Sequence, residues 1–459
     1  MTGDGPALDA GILGDGRTIA AIATAVGRGA LALVRVSGPA TEIIAARLLD
    51  PPPTEHQRAL HTRAMNAQGE LLDDVVATRY RAPHSFTGED LLEISTHGGL
   101  VAPTAVLAAA IRAGARQAEP GEFTRRAVLN GKLDLLQAEA IADLIDARSA
   151  AAHRVALRQL DGGLTQRVTS LRERILELEA LLAYDIDFPE EDDGPVPRER
   201  IMAACADVLR ETEALLATGE QGTLINEGVL VVLAGAPNAG KSSLFNALLG
   251  EARAIVTDIP GTTRDAIEAV LDRPRWPLRL VDTAGLRPSS DPLERLGIET
   301  STRYLGRAAL VLACGEDPDA VDIVVRSIGQ HTSAPVLAVR TKADLVAHGY
   351  ETATALSVSA RSGEGIAELL EAIDHRLIEQ RGLPELDAPG LTRERHLAAV
   401  DVARGELSAF QHAWWTRALP ASVAATHVRA AADALGELIG VVGTDDVLDV
   451  VFRRFCVGK

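Results

Sequence analysis

Gly235-Ala-Pro-Asn238-Ala239-Gly240-Lys241-Ser242 is the stretch whose residue types and spacing do chemistry most directly. The glycines let backbone N–H groups from Asn238 to Ser243 wrap a polyphosphate. A helix opening at Ser243-Leu-Phe-Asn-Ala-Leu-Leu adds its partial positive charge at the same point. Lys241 would reach the β- and γ-phosphates, and the Ser242 hydroxyl would ligate Mg²⁺. Composition supports a selected role for the lysine. Of 46 basic residues only Lys132, Lys241, Lys342 and Lys459 are lysine, so each is a candidate for a place where a compact, flexible point charge is wanted and a planar fork is not; codon bias is the alternative for Lys132 and Lys459.

Four further segments decide which nucleotide. In Thr341-Lys342-Ala-Asp344 the carboxylate of Asp344 can accept both the ring N–H and the exocyclic amino group of guanine, which adenine cannot offer. The stem of Lys342 can lie over the purine plane. Threonine stands at 341 where asparagine is commoner, which affects the N7 side of the base and not the choice of guanine. Ser359-Ala360-Arg361 fits a loop supporting the base through backbone N–H groups. Asp282-Thr283-Ala284-Gly285 places a carboxylate to hold Mg²⁺ through water and a glycine N–H at the γ-phosphate. Gly261-Thr262-Thr263-Arg-Asp265 supplies a second Mg²⁺ hydroxyl, assigned to Thr263. The next residue after Gly285 is Leu286, which cannot orient water as the glutamine of small signalling GTPases does. A nearby carboxylate, Asp291 or Glu294, is the candidate for that task.

These loops need strands to end on. Apolar runs at 229–233, 278–281, 309–313, 336–339 and 356–358, with helical segments between them, predict a doubly wound α/β domain closing with a helix over 365–380. Upstream, Thr18–Thr24 and Leu31–Val36 read as strands around the turn Gly27-Arg28-Gly29, and Val101–Ala113 as an Ala-rich helix, giving an α+β domain. From Leu133 the pattern is helical; Leu171, Ile175, Leu178 and Leu182 form one apolar stripe. It stops at the acidic loop 185–194. The expected organisation is 1–129, 130–226, 227–382 and 383–459, with the α/β domain inserted in a helical domain. Separate domains for the two helical halves are the alternative. The loop 316–322 carries no usable motif.

With 459 residues, 47% hydrophobic and 24% charged, the chain is an ordinary globular one of about three domains. The net charge of −18 argues against a surface broadly coated by nucleic acid. Cys205, Cys314 and Cys456 are too few and too scattered for a disulfide framework, and no signal peptide or membrane span is legible, which points to the cytoplasm.

Together these segments resemble the MnmE (TrmE) family of tRNA-modifying GTPases, nearly end to end. The resemblance is carried by Leu33-Val-Arg-Val-Ser-Gly38, Ser85-Phe-Thr-Gly-Glu-Asp90, His97-Gly-Gly, Pro120-Gly-Glu-Phe-Thr124, Gln137–Ile145, Asp187-Phe-Pro189, Asp258-Ile259-Pro260-Gly261-Thr262-Thr263-Arg-Asp265 and the terminal Phe455-Cys-Val-Gly-Lys459. It implies a homodimer joined through N-terminal folate-binding domains. With the flavoprotein MnmG, in a heterotetramer, it would add an aminomethyl-type group at C5 of the wobble uridine of certain tRNAs. Arg35, Glu93, Lys132 and Lys459 match residues that bind 5-formyl-tetrahydrofolate, though Arg35 and Glu93 could be an ordinary charge pair in the sheet. Asn238, Thr257, Ile259 and Thr262 match K⁺-binding positions, and Glu294 a residue that orients the attacking water. Cys456 matches a cysteine of the modification reaction, or is a small buried hydrophobe. Ala25-Val26 departs from the family's Pro-containing turn. A ribosome-assembly GTPase switch that binds RNA is the alternative reading; such proteins share Gly-Thr-Thr-Arg-Asp.

Overall fold

The computed structural model describes residues 16–25, 27–187, 196–251, 254–255, 267–282, 303–345, 355–441, 451–452, 455 and 457–458. Packing divides the chain into two units. One is formed by Met1–Ala142 with Leu435–Lys459 and the other by Asp143–Ala434.

The first unit is built on β1 (Ile19–Ile22), β2 (Leu31–Ser37), α1 (Thr41–Leu48), β3 (Leu49–Asp50), β4 (Ala59–Met65), β5 (Leu71–Tyr80), β6 (Leu91–His97), α2 (Val101–Arg112), β7 (Arg116–Gln117), α3 (Glu122–Leu129) and, up to Ala142, α4 (Leu135–Asp146). Its sheet runs β3-β4-β5-β6-β2-β1-β7. Alternation sorts β2: Ala32, Val34 and Val36 are buried, the two valines packing with Ile44, Ile94 and Val106, while Arg35 points to the other face. The strands expected at 18–24 and 31–36 pair antiparallel around their turn, and the Ala-rich helix is α2. The hairpin β4–β5 turns through Asn66, whose side-chain oxygen accepts the amides of Gln68 and Glu70.

A buried ion network ties α3 to this sheet. Arg126, 8% exposed, donates to both oxygens of Glu89, to Glu122 and to the Arg17 carbonyl. Glu122 also takes two bonds from Arg116. Phe452 and Phe455 pack with Leu135 and Ala138, and Val457 bridges to Pro120. The end of the chain is thereby part of this unit.

The second unit holds α5 (Ala150–Leu160), α6 (Gly163–Asp187), α7 (Arg198–Leu216), α8 (Thr218–Glu227), β8 (Val229–Gly235), α9 (Lys241–Glu251), β9 (Ala254–Ile255), β10 (Ile267–Leu271), β11 (Leu278–Asp282), β12 (Leu310–Gly315), α10 (Pro318–Ile328), β13 (Val336–Arg340), β14 (Leu356–Ser357), α11 (Ile366–Arg381), α12 (Glu394–Thr416) and, up to Ala434, α13 (Ala421–Ile439). The stripe Leu171, Ile175, Leu178 and Leu182 is buried along α6. The sheet order is β14-β13-β12-β8-β11-β10-β9, parallel except where β10 meets its neighbours. The core strands β8 and β12 are almost wholly buried, as a parallel sheet covered on both faces requires.

Candidate active site

Strand register brings the sequence motifs together. Leu233 of β8 lies opposite Asp282 of β11, and Gly235 lies opposite Cys314 of β12. The loop leaving β8 therefore emerges between Asp282 and Gly315-Glu316, at the carboxyl ends of the strands where open α/β sheets take ligands. Gly235 is required by close approach: a Cβ there would stand 2.3 Å from the Cys314 carbonyl oxygen. Asn238 and Gly240 have φ of 65° and 78°, and α9 then begins at Lys241. Alternating backbone handedness of this kind turns N–H groups toward a common point.

Lys241 is 4% exposed, and its Nζ donates to the carbonyls of Gly235 (2.8 Å) and Ala236 (2.9 Å). Burial lowers its pKa below the ordinary range, and the charge of wholly buried Asp282 works in the opposite direction. Burial pushes the thiol of Cys314 up to about 12, so it is an inert neighbour. The ammonium is thus held over the loop by neutral carbonyls, in the field of the Asp282 carboxylate. A polyphosphate would supply the close counter-charge.

The base side is assembled by β13 and β14. Thr341 accepts its place through its N–H, which donates to the Gly315 carbonyl (2.8 Å). Lys342 has φ of 57° and its Nζ pairs with Glu316. The Ser359 hydroxyl, wholly buried, donates to Asp344 Oδ1 at 2.7 Å and accepts the amides of Arg361 (3.3 Å) and Ser362 (3.2 Å). Between these loops lies a cavity of about 250 Å³ lined by Gly240, Thr341, Lys342, Asp344, Ala360 and Arg361, among others. The end of the phosphate loop and the base loops thus face one space, which suits a purine base. The sequence offered no reading for Glu316. Its only signal was a carboxylate one residue past a strand end, and its partner is set by the parallel pairing of β12 with β13.

The first unit gathers a second set. Arg35 and Glu93 are cross-strand partners of β2 and β6, with Nε and Nη2 at 2.9 and 2.8 Å from Glu93 Oε1. Tyr80 donates to Glu93 Oε2 at 3.3 Å, and the Arg35 guanidinium stands 5.4 Å over the Phe86 ring. Lys132 reaches the loop carrying Phe86 by donating to the Pro83 carbonyl (3.1 Å). Neither Tyr80 nor Phe86 was singled out from sequence. The backbone of Gly458 lies against Ile22 and Ala23, one strand over from Arg35. Thr257, Asp258, Ile259, Pro260, Gly261, Thr262, Thr263, Thr283, Ala284, Gly285, Leu286, Asp291, Glu294, Cys456 and Lys459 lie outside the described residues.

Comparison with known proteins gives this arrangement a context. The family model of the MnmE helical domain matches residues 135–456, and that of the GTP-binding protein TrmE N-terminus matches 18–132. A tRNA modification GTPase MnmE of Moorella thermoacetica is 41% identical over 462 residues, covering 96% of this chain and 99% of that protein. One from Bordetella parapertussis is 43% identical over 454 residues, with coverages of 96% and 99%. Among solved structures, the G domain of the T. maritima FeoB iron transporter is 29% identical, covering 32% of this chain and 98% of that one, with a TM-score of 0.26. Identity above 40% sustained from the N-terminal sheet to the last helices, with the phosphate and base loops in place, makes this chain a member of the MnmE family of tRNA modification GTPases.

Proposed function

We propose that this GTPase uses GTP turnover to drive modification at C5 of the wobble uridine in certain tRNAs, as a homodimer working with a flavoprotein partner of the MnmG kind. The observation that carries the nucleotide half of this reading is the cavity in which Asp344, oriented by Ser359, faces the loop bearing Lys241. On binding, the β- and γ-phosphates take the place of the Gly235 and Ala236 carbonyls as partners of the Lys241 ammonium, and the guanine edge takes the carboxylate of Asp344.

Ser242, exposed at the start of α9, and Thr263 are the hydroxyls to hold Mg²⁺, whose preference for oxygen ligands they satisfy. Asn238, at positive φ in the loop, offers an amide oxygen to K⁺, with Thr257, Ile259 and Thr262 completing the set. Bound there, the two cations would neutralise charge that develops on the phosphates. With leucine at 286, Glu294 orients the attacking water indirectly.

Arg35, Lys132 and Lys459 suit the carboxylates of a tetrahydrofolate tail, and Glu93 suits the N–H donors of a pterin. The Arg35–Glu93 pair packed on Phe86 and tied to Tyr80 supports this reading, because it presents both charges beside an aromatic face. Among the described residues no helix is long and apolar enough to cross a membrane.

Wobble-uridine nucleosides from cells lacking this protein test the proposal: loss of the C5 modification is expected, and an unchanged profile overturns it. Hydrolysis measured in KCl and NaCl at matched ionic strength tests the cation. Equal rates remove K⁺ from the mechanism.

A further inference from the structure

We propose that Thr341 is a latch between the phosphate loop and the base-reading loop, and that guanine is consequently read with no side-chain donor from this position to N7. The inference rests on the guanine-nucleotide reading above and refines it.

Thr341 follows β13 and is 3% exposed. Its Oγ1 lies 2.7 Å from the Ala239 carbonyl oxygen and 3.1 Å from that of Gly315. A hydroxyl owns one proton, and both of these neighbours only accept. The proton is therefore committed to the protein backbone. Turning it toward a base would leave the carbonyl of Ala239, a buried residue in the phosphate loop, without this partner. Branching at Cβ restricts the rotamers by which the hydroxyl could leave. Contact with the loop is tight on the same side, since a Cβ built on Gly240 would stand 3.3 Å from Thr341 Cβ. Asparagine, with two N–H donors, could serve a carbonyl and a ring nitrogen together; threonine serves only the carbonyl.

Two consequences follow for the ligand. Discrimination is concentrated on the edge that Asp344 reads, the ring N–H and the exocyclic amino group. A guanine nucleotide whose N7 is replaced by carbon should be accepted as GTP is.

Calorimetric titration of the full chain with GDP, 7-deaza-GDP, IDP and ADP tests this. GDP and 7-deaza-GDP should bind within about twofold of each other, and IDP about tenfold more weakly for want of the amino group. A preference of about fivefold or more for GDP over its 7-deaza analogue would overturn the inference, because a neutral hydrogen bond contributes about that much. ADP binding as well as GDP would instead overturn the guanine reading beneath it. Thr341→Asn should create a GDP preference of about three- to tenfold over 7-deaza-GDP. Thr341→Val should weaken both nucleotides by a common factor and leave their ratio near one; affinities unchanged in that variant would refute the latch.

Discussion

Replacing Ser359 by alanine isolates the part of the site proposed to read the base. The hydroxyl is wholly buried, donates to Asp344 at 2.7 Å and receives two amides at 3.3 and 3.2 Å. Those two are long, and their loss costs little. The bond to the carboxylate is charge-assisted, in a class worth about 1.5–3 kcal/mol. Asp344 is exposed before nucleotide binds, so water can stand in for the lost donor in the free protein. Once a base covers it, that substitution fails. The penalty therefore falls on the complex, and about 1–2 kcal/mol of it should appear in binding, a five- to thirtyfold weaker GDP. The preference for GDP over IDP should shrink as well, because a carboxylate no longer held in place engages the amino group poorly. Calorimetry with both nucleotides reads this, and thermal unfolding checks that the turn survives; the backbone bonds Ser359 N–H to Glu364 and Gly363 N–H to Ser359 remain available to it. A folded variant with GDP affinity within about twofold of the parent would refute the claim that Ser359 orients the reader.

Other perturbations probe the rest of the molecule. Asp344→Asn should weaken GDP by about 100-fold and favour the xanthine nucleotide, whose C2 oxygen accepts where guanine's amino group donates; failure of xanthosine diphosphate to gain would count against Asp344 as the base reader. Because Lys241 has a depressed pKa, it loses its proton at alkaline pH before an ordinary lysine does, and a polyphosphate restores that proton. GDP binding should therefore take up protons in the alkaline range, seen as binding enthalpies that depend on buffer ionisation; buffer-independent enthalpies there would contradict this. Burial pushes Glu122 up, but bonds from Arg116, the Glu119 amide and Arg126 outweigh it and leave its pKa below the ordinary 4.5. Its stabilisation is present above that value and lost as pH falls through the lower folded value, so Glu122→Gln should cost about 2–4 kcal/mol near neutrality in denaturant unfolding and less in acid. Gly458 has φ of +96°, and a Cβ there would stand 2.4 Å from the Ile22 carbonyl oxygen. Gly458→Ala should dislodge the chain end, weakening 5-formyl-tetrahydrofolate binding while GDP affinity holds; an intact folate affinity would separate the tail from that site.

What was legible in the sequence was local chemistry attached to strand ends. The phosphate loop, the Asp344 segment and the Ser359 loop each follow a short apolar run, and a parallel sheet necessarily brings such ends to one edge. Their convergence on a single cavity then depends on β12 and β13 lying in order beside β8. What was not legible depends on which strand lies beside which. Glu316 meets Lys342 only because β12 pairs with β13, and Glu93 meets Arg35 and Tyr80 only because β6 lies between β2 and β5. In the sequence Arg35 and Glu93, 58 residues apart, are joined only by the family resemblance and the option of a charge pair in the sheet, and no spacing rule brings Tyr80 to them. Thr341 shows the limit most clearly. The motif exposes the exchange of asparagine for threonine, and the hydrogen-bonding inventory says a donor has been lost. Only the fold shows that the remaining proton is committed to the Ala239 and Gly315 carbonyls, binding the two halves of the nucleotide site to each other. A substitution that reads in sequence as a weakened base contact is, in three dimensions, a retained brace with one function removed. That is why its effect should be sought in the tolerance for altered N7 and not in the choice of guanine.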